Sequence, residues 1–386
     1  MSEDPGRLRP LEGIGKLPAV EEREFESRVG QSSEPVELEE LDRAKREAQE
    51  MSAPMTPRSL VRVERIALRG PGVVILTGPS SCGKGEVAAA LCDLISIDSR
   101  RHLSMGEILR STIERSKSDD GFARLLADKY ALSRETSIFE SIDSNEELDE
   151  KVRRYLPDLE RHFGRTPSRF ISNEVSGKAE VSQLEWLEFC TERGLLIPNR
   201  WTQDLISAEI DRALAADTDG VDSPFILDGY PRTVTAAQHL LSFLESVQVP
   251  VLKVLHLSIS KAEMSARAGK RGRADDNEEA LRSRFEFYVE NVQPSVDYLK
   301  TELGGDRVAL IDAHQPSFDD VDGNRVFHLH RSIDNVVSSA LRALGVPTVI
   351  VRDLLETRRE NREEADRVAL AEADQAASEA KADDRG

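Results

Sequence analysis

The chain has 386 residues, of which 39% are hydrophobic and 32% charged, a composition typical of a globular protein with room for more than one domain. Its 71 acidic and 52 basic residues give a net charge of −19, which disfavours nucleic acid and anionic membranes as partners. The apolar runs are far shorter than the roughly 20 residues of a membrane span, and the charged N-terminus lacks the apolar region of a signal peptide. Three cysteines without a CxxC pair offer neither a disulfide framework nor a zinc site. These features predict a cytoplasmic protein.

The two ends of the chain differ from its middle. Residues 1–58 are polar and rich in glutamate without a sustained apolar period, which predicts a disordered acidic extension with, at most, a short helix over residues 38–51. Residues 346–386 contain strong helix formers and mixed charges, so we expect a charged helix or tail. The remaining segment, 59–345, is expected to form the folded domain.

Short apolar, β-branched runs alternate with helix-compatible stretches in this middle segment. The runs lie at residues 73–77, 225–228, 251–257 and 308–312, with a weaker candidate at 101–104 and an alternating stretch at 60–68 that could add an edge strand. This alternation predicts an α/β fold in which a parallel sheet of about five strands is covered by helices on both faces.

The strongest local motif is Gly-Pro-Ser-Ser-Cys-Gly-Lys-Gly at residues 78–85, between the first predicted strand and a helical run at 86–94. Glycines let successive backbone N–H groups point at phosphate oxygens, and Lys84 can reach the phosphoryl group that is transferred. The motif predicts a P-loop that binds a nucleoside triphosphate. Because Gly85 replaces the usual metal-binding hydroxyl, Asp228 at the end of the next strand is the expected ligand of Mg²⁺, through water.

Four blocks in order carry a resemblance to a known family. They are the P-loop at 78–85, His-Leu-Ser-Met-Gly-Glu-Ile-Leu-Arg at 102–110, Asp-Gly-Tyr-Pro-Arg at 228–232, and a basic segment at 267–277 followed by Arg284. The chain therefore resembles the adenylate kinase-like nucleoside monophosphate kinases, in a form with a short lid at 267–277 and a helical insertion at 118–181 that enlarges the monophosphate-binding region. The resemblance implies Mg²⁺-dependent transfer from ATP to a nucleoside monophosphate, either AMP-type or pyrimidine.

The resemblance also implies the roles of particular residues. Transfer would depend on Lys84, Arg232, Arg267, Arg273 and Arg284. ATP would be bound by Gly78, Pro79, Ser80, Ser81, Cys82, Gly83, Lys84, Gly85, Glu86 and Arg267. The monophosphate would be bound by Met105, Arg110, Ile197, Gly229, Arg232, Gln238, Arg273 and Arg284.

Several positions depart from the family pattern and keep other functions open. Glu86 stands where a threonine is usual, Met105 replaces a threonine near the acceptor base, and Ala236 occupies the position of an amide that reads the base, with Gln238 two residues later. The chain could thus be a P-loop kinase of another small phosphorylated metabolite, or a nucleotide-binding regulatory or scaffold protein with weak catalysis. The insertion could cap the acceptor or, like the tails, dock protein partners that the sequence leaves unknown.

Overall fold

The computed structural model describes residues 63, 65–68, 70–138, 154–164, 181–215, 223–271, 278–321 and 324–383. The chain divides into two units, Met1–Val61 and Arg62–Gly386, and all of the described residues belong to the second. The predictions of a disordered extension and of a helix at 38–51 concern residues outside the described part.

Five parallel strands form the central sheet, as predicted. They are β1 (Val73–Thr77), β2 (His102–Ser104), β3 (Phe225–Asp228), β4 (Val251–Ser258) and β5 (Val308–Asp312), in the order β2-β3-β1-β4-β5. The first strand lies at the centre and every one of its residues is buried, which explains its unbroken β-branched run. The stretch at 60–68 adds no strand over its described residues 63 and 65–68; instead the Ile66 backbone N–H donates to Leu94 O at 3.2 Å.

Twelve helices are described. They are α1 (Lys84–Leu94), α2 (Met105–Ser118), α3 (Asp120–Tyr130), α4 (Leu156–Phe163), α5 (Gln183–Arg193), α6 (Asn199–Ala215), α7 (Val234–Ser246), α8 (Lys261–Arg271), α9 (Glu278–Phe287), α10 (Gln293–Leu303), α11 (Leu329–Ala343) and α12 (Thr348–Asp383). A π-helical segment, Tyr288–Val292, joins α9 to α10. None of these helices has both the length and the apolar character needed to cross a bilayer.

Helices cover both faces of the sheet, each over its own hydrophobic core. One core joins the side chains of Val73, Ile75 and Leu227 to apolar residues of α2, α5, α6, α7 and α10. The other joins Val74 and Leu76 to apolar residues of α1, α11 and α12. Alternate residues of the same strand thus enter opposite layers, as expected of a sheet that is buried on both sides.

The segment expected to be an insertion shares the first of these cores. Its described parts include α3 and α4, and Leu126, Leu132 and Leu159 are fully buried in the same cluster as the sheet residues. The aromatic rings of Trp186 and Phe189 stack at 5.7 Å between centroids, both buried. The insertion is therefore continuous with the main core over its described residues.

Residues after 313 form two features beyond the sheet. An antiparallel hairpin, β6 (Phe318–Val321) and β7 (Asn324–Phe327), precedes α11 and was not among the predicted elements. Helix α12 begins within the predicted charged tail, and its first turns bury Val351 and Leu354 against the second core. The boundary at residue 345 stays a prediction, but these turns of α12 belong to the packed structure.

The docking of α12 is fixed by a buried carboxylate. Asp334 on α11 is completely buried and accepts hydrogen bonds from Arg358 at 2.7 Å, Arg359 at 3.2 Å and Arg362 at 3.1 Å. All three arginines lie on the face of α12 that also carries its buried leucines, so polar and apolar contacts fix the same orientation of the helix.

Candidate active site

The P-loop connects the central strand β1 to the N-terminus of α1. Gly78 has a φ of 146°, and a Cβ there would overlap the carbonyl oxygen of Leu257, so the position requires glycine. Gly83 has a φ of 90° and forms the N-cap of α1, which directs backbone N–H groups into the loop. Gly85 and Glu86 follow in the first turn, and both are exposed.

The ammonium group of Lys84 lies against the loop itself. Its Nζ donates to Gly78 O at 3.1 Å and to Pro79 O at 2.9 Å, and lies 3.6 Å from the sulfur of Cys82. These carbonyl contacts hold the charge inside the loop. When a triphosphate enters the loop, its oxygens can replace these carbonyls as acceptors from the ammonium group, because a charge-assisted hydrogen bond is stronger.

A cleft of about 460 Å³ brings the P-loop together with several of the predicted arginine sites. Its loop side is formed by Thr77, Gly78, Pro79, Ser80 and Lys84. Its opposite side is formed by Gly194, Gly229, Pro231, Arg232, Arg284, Phe287, Tyr288 and Val292. The blocks at 78–85 and 228–232 and the helix after the lid therefore meet at one cavity.

Two glycines support the arginines of this cleft. Helix α5 starts at a capping box formed by Ser182 and Glu185 and ends at Gly194, where φ is 66°. A Cβ on Gly194 would approach Arg284 Nε to 3.0 Å, so the guanidinium packs directly over this helix terminus. Arg232 Nε donates to Gly229 O at 2.9 Å.

Arg267 reaches the P-loop from the other side. From α8, its guanidinium contacts Cys82 O at 3.5 Å and Ala313 O at 2.8 Å, while Nε donates to Glu263 at 2.6 Å. Burial opposes ionisation of Glu263, but the hydrogen bond and charge of Arg267, together with His314, outweigh it and lower the pKa of this carboxyl. Arg267 is thus oriented beside the loop by a carboxylate and two carbonyls.

Asp228 has the environment expected of a metal-associated carboxylate. It ends β3 in register with Leu76 of β1, next to the P-loop, and is buried. Its Oδ1 has no hydrogen-bond partner among the described residues, and its Oδ2 lies 3.7 Å from His102 Nε2. A buried carboxylate oxygen without a donor fits a water molecule bound to Mg²⁺, so the residues present are compatible with the ion.

A second cavity of about 360 Å³ adjoins the first and has mostly apolar walls. It is lined by Met105, Leu109, Leu195, Leu196, Ile197, Asn199, Thr202, Tyr230, Arg232 and Ala236. Met105, Ile197 and Ala236, which the sequence singled out for the acceptor, all lie here. Arg232 lines both cavities and marks their junction.

Some predicted residues lie elsewhere. Arg110 is exposed on α2, with its guanidinium against Gly106, and Gln238 is exposed on α7; neither lines the two cavities. Arg273 lies outside the described residues. The roles assigned to these three, like those of the predicted residues that line the cavities, stay predictions.

Other residues of the site were not anticipated. Asn199 and Thr202 in the second cavity follow the Gly-Leu-Leu-Ile-Pro turn at 194–198, and that turn was the available signal. Tyr288 lines the first cavity, and its hydroxyl lies 2.8 Å from Nε2 of the buried His256. Burial and the nearby charge of Lys84 lower the pKa of His256 to about 4, so this imidazole is neutral beneath the loop.

Comparison with known proteins finds similarity to adenylate kinases. The adenylate kinase family model matches residues 173–303. An adenylate kinase from Mycobacterium sp. (strain MCS) is 25% identical over 272 residues, which cover 70% of this chain and 98% of that protein. An adenylate kinase from Mycolicibacterium smegmatis is 36% identical over 112 residues, 29% of this chain and 59% of that protein. A third, from Corynebacterium urealyticum, is 24% identical over 230 residues, 60% of this chain and 87% of that protein.

Proposed function

Since the chain belongs to the adenylate kinase family and is an adenylate kinase-like phosphotransferase, we propose that it transfers the γ-phosphoryl group of ATP to an AMP-type or pyrimidine nucleoside monophosphate. The observation that carries this proposal is the position of Arg232, which lines both cavities. A monophosphate whose base occupies the apolar cavity would place its phosphate at this guanidinium, facing Lys84 across the first cavity.

The donor would occupy the loop side of the first cavity. Backbone N–H groups of the P-loop and the N-terminus of α1 bind the β- and γ-phosphates, while Lys84 contacts the group in transfer. Arg267, already hydrogen bonded to Cys82 O in the loop, lies beside the same phosphates. Glu86 is exposed in the first turn of α1, where water screens its carboxylate and a negative charge favours the helix N-terminus.

The reaction requires alignment and charge neutralisation more than proton transfer. A monophosphate already carries an ionised oxygen, so no strong general base is needed for its attack on the γ-phosphorus. Arg232 and Arg284 hold the acceptor phosphate in the fork geometry that guanidinium groups provide, and Lys84 stabilises charge on the transferred group. Mg²⁺, held through water by Asp228, would supply further neutralisation of the donor phosphates.

A coupled assay of the purified protein tests the proposal. ATP is supplied with AMP, CMP, UMP, dCMP, dTMP or GMP in turn, and each reaction is repeated with EDTA. We expect ADP formation that depends on at least one monophosphate and on Mg²⁺. Conversion of none of the six, with ATP still binding in a calorimetric titration, would contradict the proposal and favour a nucleotide-binding regulatory protein.

A further inference from the structure

Most polar side chains of the second cavity either hydrogen bond within the protein or are assigned to the acceptor phosphate. The hydroxyl of Tyr230 donates to the carbonyl oxygen of Ala236 at 3.3 Å, and Arg232 is assigned to the acceptor phosphate. Among the residues that line this cavity, the other polar side chains are Asn199 and Thr202. The hydroxyl of Thr202 donates to the backbone carbonyl of Asn199 at 2.8 Å, so its proton is committed to the helix.

The orientation of the Asn199 carboxamide is set by its neighbour Thr233. The Thr233 hydroxyl accepts a hydrogen bond from the backbone N–H of Ala236 at 3.1 Å, as the N-cap of α7. The same hydroxyl donates its proton to Asn199 Oδ1 at 2.9 Å. The carbonyl end of the amide therefore contacts Thr233, and the NH₂ group remains available as a hydrogen-bond donor to the cavity.

The two residues that the sequence suggested as base readers do not provide such a group. Ala236 is buried in the cavity wall and offers a methyl group only. Gln238 is exposed on α7, outside the cavity. The bond between Thr233 and Asn199 instead joins the start of α7 to the start of α6, and it brings an amide to this cavity from a different part of the chain.

From this arrangement we infer that the Asn199 amide donates a hydrogen bond to the pairing edge of the acceptor base and decides between amino and keto bases. The inference rests on the proposed function, because it assigns the base of the monophosphate to this cavity. Amino and keto bases present opposite groups at equivalent positions of that edge: adenine and cytosine have an NH₂ donor and a ring-nitrogen acceptor, where hypoxanthine and uracil have a carbonyl acceptor and a ring N–H donor. A fixed donor therefore favours one class over the other.

Matched pairs of monophosphates isolate this effect. The ratio of kcat/KM within the pair AMP and IMP, and within the pair CMP and UMP, is independent of phosphate binding because both members carry the same phosphate. In Asn199→Asp the acceptor oxygen for Thr233 is kept and the donor becomes an acceptor. In Asn199→Ala both groups are removed. The control is Gln203→Ala, which removes an amide one turn along α6 that instead contacts Thr235 O at 3.5 Å.

The unaltered protein should prefer the same class in both pairs by about 10-fold. Asn199→Ala should reduce both ratios to within about 3-fold of unity, and Asn199→Asp should reverse both, while the KM for ATP changes by less than about 2-fold. Gln203→Ala should leave the ratios unchanged. Melting temperatures, measured in parallel, separate a loss of stability from a change in selectivity.

The outcomes that contradict the inference are distinct from failure of the proposed function. An active protein without preference within the pairs, ratios that survive both Asn199 variants, or equal changes in Gln203→Ala would each overturn the role of Asn199 while the kinase activity stands. Collapse of the ratios in Gln238→Ala, with the Asn199 variants unaffected, would assign base reading to Gln238. Inactivity on all monophosphates would overturn the proposed function and this inference together.

Discussion

Replacement of Asp334 by alanine should destabilise the protein by about 3 kcal/mol or more. The side chain is completely buried and accepts hydrogen bonds from three arginines of α12. Loss of one partner from a buried ion pair typically costs about 3 to 5 kcal/mol, because the remaining charge is left without compensation. Here the arginine side chains are 20%, 40% and 22% exposed and can reach water in part, so the lower end of that range applies.

A second ion pair on the same helix provides the control. Arg367 and Glu364 are also 2.7 Å apart, the same distance as Arg358 and Asp334, but their side chains are 73% and 63% exposed. Exposed pairs contribute about 0 to 1 kcal/mol, so Glu364→Ala should change stability by no more than about 1 kcal/mol. The distance between the charged atoms is equal in the two pairs, but Asp334 is buried, has three arginine partners and joins two helices, whereas Glu364 is exposed and pairs within one helix.

Urea denaturation, followed by circular dichroism at neutral pH, measures both variants. The midpoint should fall clearly for Asp334→Ala and barely for Glu364→Ala, with the m-value unchanged in each. Asp334→Asn, which keeps the size of the side chain and removes its charge, should lie between them. Equal losses in Asp334→Ala and Glu364→Ala would refute the argument that burial of the carboxylate fixes α12 to α11.

Three further predictions concern the site. Lys84→Met should lower kcat by about 10² or more in a coupled assay, since one preorganised contact to the transferring group is lost, whereas Lys300→Met, an exposed lysine of α10, should not. Arg232→Ala should raise the KM of the monophosphate far more than that of ATP, while Arg267→Ala should mainly impair donor use; identical effects on both substrates would argue against their separate roles. The pKa of His256 is lowered to about 4, so the unfolded chain binds the extra proton and stability should fall as pH decreases from about 6.5 to 4. Thermal unfolding across this range should show a smaller loss in His256→Phe than in the unaltered protein.

The central sheet was predictable because most of its strands have a recognisable apolar, β-branched sequence. Buried parallel strands need apolar, β-branched runs on both faces, and the runs at 73–77 and 225–228 match the buried strands β1 and β3 residue for residue. The run at 308–312 also matches its strand, β5, although this edge strand is only partly buried. The hairpin β6–β7 lacks that signal. Its residues 318–320 and 324–327 are half-buried or exposed and include several charged side chains, so apolar periodicity does not identify it, and the Asp-Gly pair at 322–323, typical of a hairpin turn, was the signal available.

The candidate site was predictable where backbone geometry dictates the residue type. Gly78 and Gly83 have conformations that favour glycine, and Lys84 directly follows Gly83, so spacing along the chain is sufficient. Asn199 was missed for the opposite reason. Its place in the second cavity depends on a side-chain hydrogen bond to Thr233, far away in sequence, and no local pattern encodes such a contact.

The hydrophobic core that the insertion shares with the sheet restricts movement of the acceptor side of the cleft. Helices α3, α4 and α5 are packed into the same cluster as one face of the sheet, so the acceptor side of the cleft cannot swing as a separate body without opening that cluster. Over the described residues, helices α8 and α9, which carry Arg267 and Arg284, are joined by a separate small cluster whose buried members are Met264, Ala268 and Leu281. Local opening therefore costs less there, and amide hydrogens of α8 should exchange with solvent faster than those of α5. The two sides of the cleft differ in stiffness, and it is the side formed by α8 and α9 that yields.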